Sequence, residues 1–125
     1  MDTIRTLTAV FALGRLAFGA GLLASPERFA FGWLGGDVER PPVKLAVRAL
    51  GVRDVALSAG SLAALGDRDA LRPWLAGALL ADLGDVAATI ATPGDALPRN
   101  ARWGTIALGG GSALAGLALL RAASR

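Results

Sequence analysis

The amino-acid sequence predicts an all-α protein: an antiparallel four-helix transmembrane bundle, with an interfacial loop between the first and second helices, forming one membrane domain over residues 1–125. Three observations carry this expectation. Four apolar segments, each near the ~20 residues that cross a bilayer core, alternate with short punctuated connections. Hydrophobic residues make up 54% of the chain and charged residues only 18%, where soluble domains carry ~25% charged residues. Each segment also gathers its small and polar residues on one stripe and leaves the rest of its surface aliphatic, the inverse of a soluble amphipathic helix.

The first segment covers residues 3–24 and ends at Ser25-Pro26, because proline disfavours helical geometry in the residue before it. Residues 25–42 contain Phe29, Phe31 and Trp33 and read as an aromatic loop lying in the membrane interface. The second segment, 43–65, follows Pro41-Pro42 and precedes Gly66-Asp67-Arg68-Asp69. The third, 73–92, opens on Pro73, which suits a first helical turn, and is stopped by Pro93-Gly94. The fourth, 103–120, contains no ionisable residue. Trp74 and Trp103 stand at segment starts, where interfacial aromatics concentrate. A soluble Ala-rich bundle would need charged outer faces that the fourth segment lacks. A cleaved leader fits poorly, since Met1-Asp2 is not basic and Arg15 interrupts the first apolar run.

The composition excludes several chemistries. The chain has no Cys, no His and no Tyr, and its one Met is the first residue. Thiol redox chemistry, a typical zinc site, haem ligation and a Ser-His-Asp triad are therefore out of reach. No catalytic residues, metal site or cofactor are expected, and an enzyme acting on lipid or quinone is a distant third reading. The net charge of +3 is scattered, with no nucleic-acid footprint. Arginine replaces lysine everywhere but at Lys44, and Ala and Gly abound, which points to a GC-rich bacterial genome and an inner-membrane location. Five basic residues fall on each predicted side of the bilayer, so the positive-inside rule favours neither orientation. Such balance suits either dual topology or one orientation fixed by other features.

The charges inside the segments carry the functional question. Arg15, Arg53, Asp54, Asp82 and Asp85 lie near segment midpoints, with Arg48 close by. A charge at a helix centre costs ~2.5–3.5 kcal/mol on insertion scales. Five sum to over ~12 kcal/mol, comparable to the stability of a whole domain, so they must pair, meet water or be neutralised. Adding Arg48 balances three Arg against three Asp. Helical spacing sets the inward stripes: Thr8, Ala12, Arg15 and Gly19 in the first segment; Val47, Gly51, Asp54, Ser58 and Ser61 in the second; Ala78, Asp82, Asp85, Thr89 and Thr92 in the third; Thr105, Gly109, Ser112 and Gly116 in the fourth. Arg53 is turned ~100° from Asp54, and a bidentate pair with Asp82 or Asp85 is the expected partnership.

The run Arg48-Ala49-Leu50-Gly51-Val52-Arg53-Asp54, opening a second helix after an aromatic-rich stretch, resembles small four-span bacterial membrane proteins of unknown function. These carry an R-x-x-G-x-R-D or R-x-x-G-x-R-E element at that place. The resemblance covers most of the chain in layout and this element in detail, and it implies no particular activity. Small multidrug exporters and dual-topology fluoride channels match in size alone. The exporters' acidic residue in helix one is missing, since Arg15 is the central charge there, and the channels' Thr- and Phe-rich helix-three motif is missing too.

Two functional expectations follow. One is a non-catalytic accessory or assembly component, with the Arg/Asp cluster as structural core. The other is a small oligomeric transporter or channel for a proton, ion or small solute, using Asp82 and Asp85 with Arg15 and Arg53. The expected partners are the lipid bilayer, and a second copy or another membrane protein.

Overall fold

The computed structural model describes residues 2–125, and within them every regular element is helical. Helix α1 spans Asp2–Ala24, α2 Pro26–Leu34, α3 Pro41–Ala63, α4 Arg68–Ala91 and α5 Arg99–Ala123. Short 3-10 turns at Gly35–Glu39 and Gly94–Ala96 complete the path.

Local chemistry sets these boundaries, and it corrects the expected ones at four places. The stretch read as a loop is helix α2 followed by a 3-10 turn. Pro26 sits in its first turn, Ser25 adopts φ −144° and ψ 72° to leave α1, and Gly35 at φ +62° ends the helix. Only glycine takes that φ without steric cost. Helix α4 starts at Arg68, upstream of Pro73, because the Asp67 carboxylate accepts from the backbone N–H groups of Asp69 and Ala70 at 2.9 and 3.2 Å. That cap satisfies two orphan donors and lets the helix begin early. Helices α3 and α5 start at Pro41 and Arg99, ahead of the apolar runs that predicted them.

The long helices α1, α3, α4 and α5 alternate in direction. Gly19 of α1 faces Gly51 of α3, and Gly60 and Leu57 of α3 meet Trp74 and Gly77 of α4. Gly109 of α5 meets Val86 of α4. The closest pairings are α1 with α3 and α4 with α5. Apolar clusters fill the two ends of the bundle. One joins Ala64, Leu71, Leu75, Leu119 and Ala123 with Phe11 and Leu120 against it. The other joins Leu22, Ala30, Val38 and Val47 beneath α2.

Arginines close both ends of the α4–α5 hairpin. Arg102 Nη1 donates to the Thr92 carbonyl oxygen at 3.1 Å, and Arg72 Nε to that of Ala123 at 3.3 Å. Each places a cation on the carbonyl-rich terminus of a neighbouring helix, where the helix dipole favours it. Helix α2 is pinned to α5 by Trp33, whose Nε1 donates to the Ala101 carbonyl oxygen at 3.1 Å and to Thr105 Oγ1 at 3.0 Å.

The outer surface is aliphatic. Val10 and Leu13 on α1, Leu45 and Val52 on α3, Leu80 and Leu83 on α4, and Leu108 and Leu114 on α5 are all exposed. Thr8, Asp54, Ser58, Ser61 and Asp82 are buried. The expected stripe of α3 matches its buried residues, namely Val47, Gly51, Asp54, Ser58 and Ser61. In α5 the buried set is Ala101, Ala113, Gly116, Leu119 and Ala123, and the expected stripe through Thr105, Gly109, Ser112 and Gly116 lies on the same side of the helix at ~100° per residue, with Gly116 buried and the other three half-buried. On that stripe Thr105 accepts from Trp33 and Gly109 packs against Val86 of α4.

Candidate functional site: a buried Arg–Asp network

Arg15 is placed by α1 with its guanidinium between two carboxylates. Nη1 donates to Asp54 Oδ1 at 3.1 Å and Nη2 to Asp82 Oδ2 at 2.5 Å. All three side chains are more than nine-tenths buried. The Phe11 ring lies one turn back, its centroid 5.5 Å from the guanidinium carbon, a cation–π contact.

Glycines make this geometry possible. A Cβ on Gly51 would lie 2.6 Å from the Gly19 carbonyl oxygen, and one on Gly19 would lie 2.9 Å from the Asp54 Cβ. Helices α1 and α3 therefore approach backbone to backbone. That approach brings Asp54 within reach of Arg15, which is one turn before Gly19 on the same face.

The network continues through Arg53. Its Nη1 and Nη2 donate to Asp85 Oδ1 and Oδ2 at 2.8 and 2.7 Å, a bidentate pair joining α3 to α4. Nη2 also lies 3.4 Å from Asp54 Oδ1. Five side chains thus alternate in sign in the order Asp82, Arg15, Asp54, Arg53, Asp85, spanning α1, α3 and α4. Alternation keeps like charges apart and leaves no charged member unpaired, as low-dielectric surroundings require. Three carboxylates face two guanidiniums, so the network as drawn carries one excess negative charge.

The six residues expected in one cluster do not all meet. Arg15, Arg53, Asp54, Asp82 and Asp85 do. Arg48 is exposed and belongs to none of the ion pairs among the described residues. Five residues separate it from Arg53, a rotation of about 140°, so the two arginines cannot share one face of α3. The balance of three Arg against three Asp within the bundle therefore does not hold.

The sequence reading missed the polar contacts at the bundle ends, made by Trp33, Arg72 and Arg102. The available signal was positional: Arg72 and Arg102 each stand near the start of a helix whose antiparallel neighbour ends at that level.

The chain matches no protein-family model, no curated protein and no solved structure. Fold and site define a helical protein with buried ion pairs. Helices α1, α4 and α5, over Thr3–Ala24, Arg68–Ala91 and Arg99–Ala123, are long and apolar enough to cross a membrane. Helix α3 falls outside that set because it carries Lys44, Arg48, Arg53 and Asp54.

Proposed function

We propose that the chain is a four-span integral protein of a bacterial inner membrane, acting as a non-catalytic accessory or assembly component whose Arg–Asp network is its structural core. The observation that carries this reading is the inverted distribution of side chains, with large aliphatics outward on all four long helices and ion pairs within. In water that arrangement forfeits the hydrophobic driving force. In hydrocarbon it satisfies both surfaces. Helix α3 qualifies as the fourth span because Asp54 is turned inward and Arg53, one-third exposed, is paired with Asp85. Arg48 lies about 10 Å along the axis from Pro41, and its side chain leans toward that end, so it can reach the interface by snorkelling. The short helix α2, with Phe29 and Phe31 exposed, takes the interfacial place given to the aromatic loop.

A structural role is favoured because Arg15, Asp54 and Asp82 are enclosed and already partnered. The transport reading draws on the one-third exposure of the Arg53 and Asp85 side chains. Proton flux into proteoliposomes separates the two. The structural reading expects wild-type vesicles to carry no more flux than empty ones. A pH-dependent flux abolished by Asp85→Asn in a folded protein would replace it with the transport reading.

A further inference from the structure

We infer that the seam between α3 and α4 is a docking face for a transmembrane helix of another protein bearing a lysine or arginine near its midpoint. The inference rests on the membrane reading proposed above and supplies the partner chemistry that an assembly component needs.

The network is closed at one end and open at the other. Asp82 and Asp54 are enclosed, while the Arg53 and Asp85 side chains remain 33% and 34% exposed. Both lie near the middle of long helices, where hydrocarbon would surround them. A carboxylate offers about four acceptor positions, and Arg53 occupies two of those on Asp85. The free positions belong to a network with one excess negative charge. A donor that is also a cation occupies those positions and balances the charge, while Arg53 Nε, buried without a partner, still needs an acceptor.

The same face continues toward α2 as an apolar groove. Ala46, Leu50, Arg53 and Leu57 follow steps of 4, 3 and 4 along α3, so they form one stripe. Ala46 and Leu50 line a groove of about 420 Å³ whose upper wall is Trp33 and Leu34. Below Arg53, α3 is covered by α4 through Leu57 with Gly77 and Gly60 with Trp74. A helix lying along the open half would seat apolar side chains in the groove and its cation at Asp85.

A second copy of this chain does not fit. Among the described residues its exposed helical cations lie near helix ends, as Arg5, Arg99 and Arg121 do, or, for Arg48, five residues or about 7.5 Å from the level of Arg53. The Arg48 side chain also leans away from mid-depth. An uncharged apolar helix would fill the groove and leave Asp85 with Arg53 as its one cation partner.

The test uses the full chain in phosphatidylcholine vesicles, labelled with a donor dye at Gly36→Cys. The probes are acceptor-labelled synthetic leucine helices with a central lysine, leucine or aspartate. The lysine helix should bind about tenfold tighter than the leucine helix, and the aspartate helix should bind no better than leucine. Asp85→Asn should remove the lysine preference, and Asp85→Glu should keep it. Ala46→Phe, which fills the groove at an exposed position, should weaken lysine-helix binding at unchanged thermal stability, so the inference stays open to refutation even if Asp85→Asn fails to fold. Equal binding of lysine and leucine helices, or a preference surviving in folded Asp85→Asn, would overturn the inference alone. A chain extracted from vesicles by alkaline carbonate would overturn the membrane reading and the inference together.

Discussion

Replacing Arg15 by leucine is the sharpest perturbation of the network. The substitution removes the only ion-pair partner of Asp82 among the described residues and leaves Asp54 with Arg53 at 3.4 Å. Both carboxylates are only 7% exposed in their side chains, so water does not replace the lost guanidinium. Breaking a buried pair by removing one partner costs ~3–5 kcal/mol, well above the ~0.6 kcal/mol average of a hydrogen bond between membrane helices. The expected loss for Arg15→Leu is therefore at least ~3 kcal/mol. Asp82→Asn in the same chain removes the orphaned charge and should recover ~2 kcal/mol or more, a coupling within the range seen for directly contacting residues. The measurement is reversible unfolding in mixed micelles by rising SDS fraction, followed by circular dichroism, on wild type, both single variants and the double variant. A penalty below ~0.5 kcal/mol for Arg15→Leu, the size of an ordinary surface change, would refute the buried-network reasoning, as would strict additivity in the cycle.

Three further outcomes follow from the same geometry. Gly51→Ala should destabilise by ~1–3 kcal/mol through overpacking against the Gly19 carbonyl, while Gly14→Ala, with nothing within 4 Å of the new methyl, should be neutral or stabilising by up to ~1 kcal/mol; the same unfolding titration reads both. Trp33→Phe loses two hydrogen bonds to α5, a cost of ~1–2 kcal/mol, and should raise amide exchange across Pro26–Leu34 while leaving the centre of α3 protected. Arg48→Leu should change stability by less than ~0.5 kcal/mol, in contrast to Arg53→Leu, which strands Asp85.

The four long helices are legible in the sequence because hydropathy and the proline and glycine breaks agree. Their ends are less so: at Asp67 a side-chain cap outweighs the proline that seemed to mark the start of α4. Helix α2 was hidden because nine residues, three of them aromatic, carry too few turns to display a period. The inward face of α3 could be read residue by residue, since Asp54, Ser58 and Ser61 share one 3.6-residue stripe and hydrocarbon admits none of them outside. Helix α5 carries an uncharged stripe of the same kind, through Thr105, Gly109, Ser112 and Gly116. A bidentate pair of Arg53 with either Asp82 or Asp85 followed from geometry and sign, but which carboxylate takes Arg53 and which takes Arg15 depends on how α1 sits over α3 and α4, which no helical period encodes. Arg48 differs from Arg53 in azimuth and lies about 7.5 Å from it along the axis, so proximity along the chain overstated its membership.

The central claim is that hydrocarbon surrounds all four long helices, α3 included. Spin labels at Leu13, Val52, Leu80 and Leu114, introduced one at a time into the naturally cysteine-free chain in vesicles, test it by power saturation. The account predicts high oxygen accessibility and low accessibility to a water-soluble nickel chelate at every one of these sites, with the reverse at Gly36 and Asp95. Nickel accessibility at Val52 equal to that at Gly36 would contradict it.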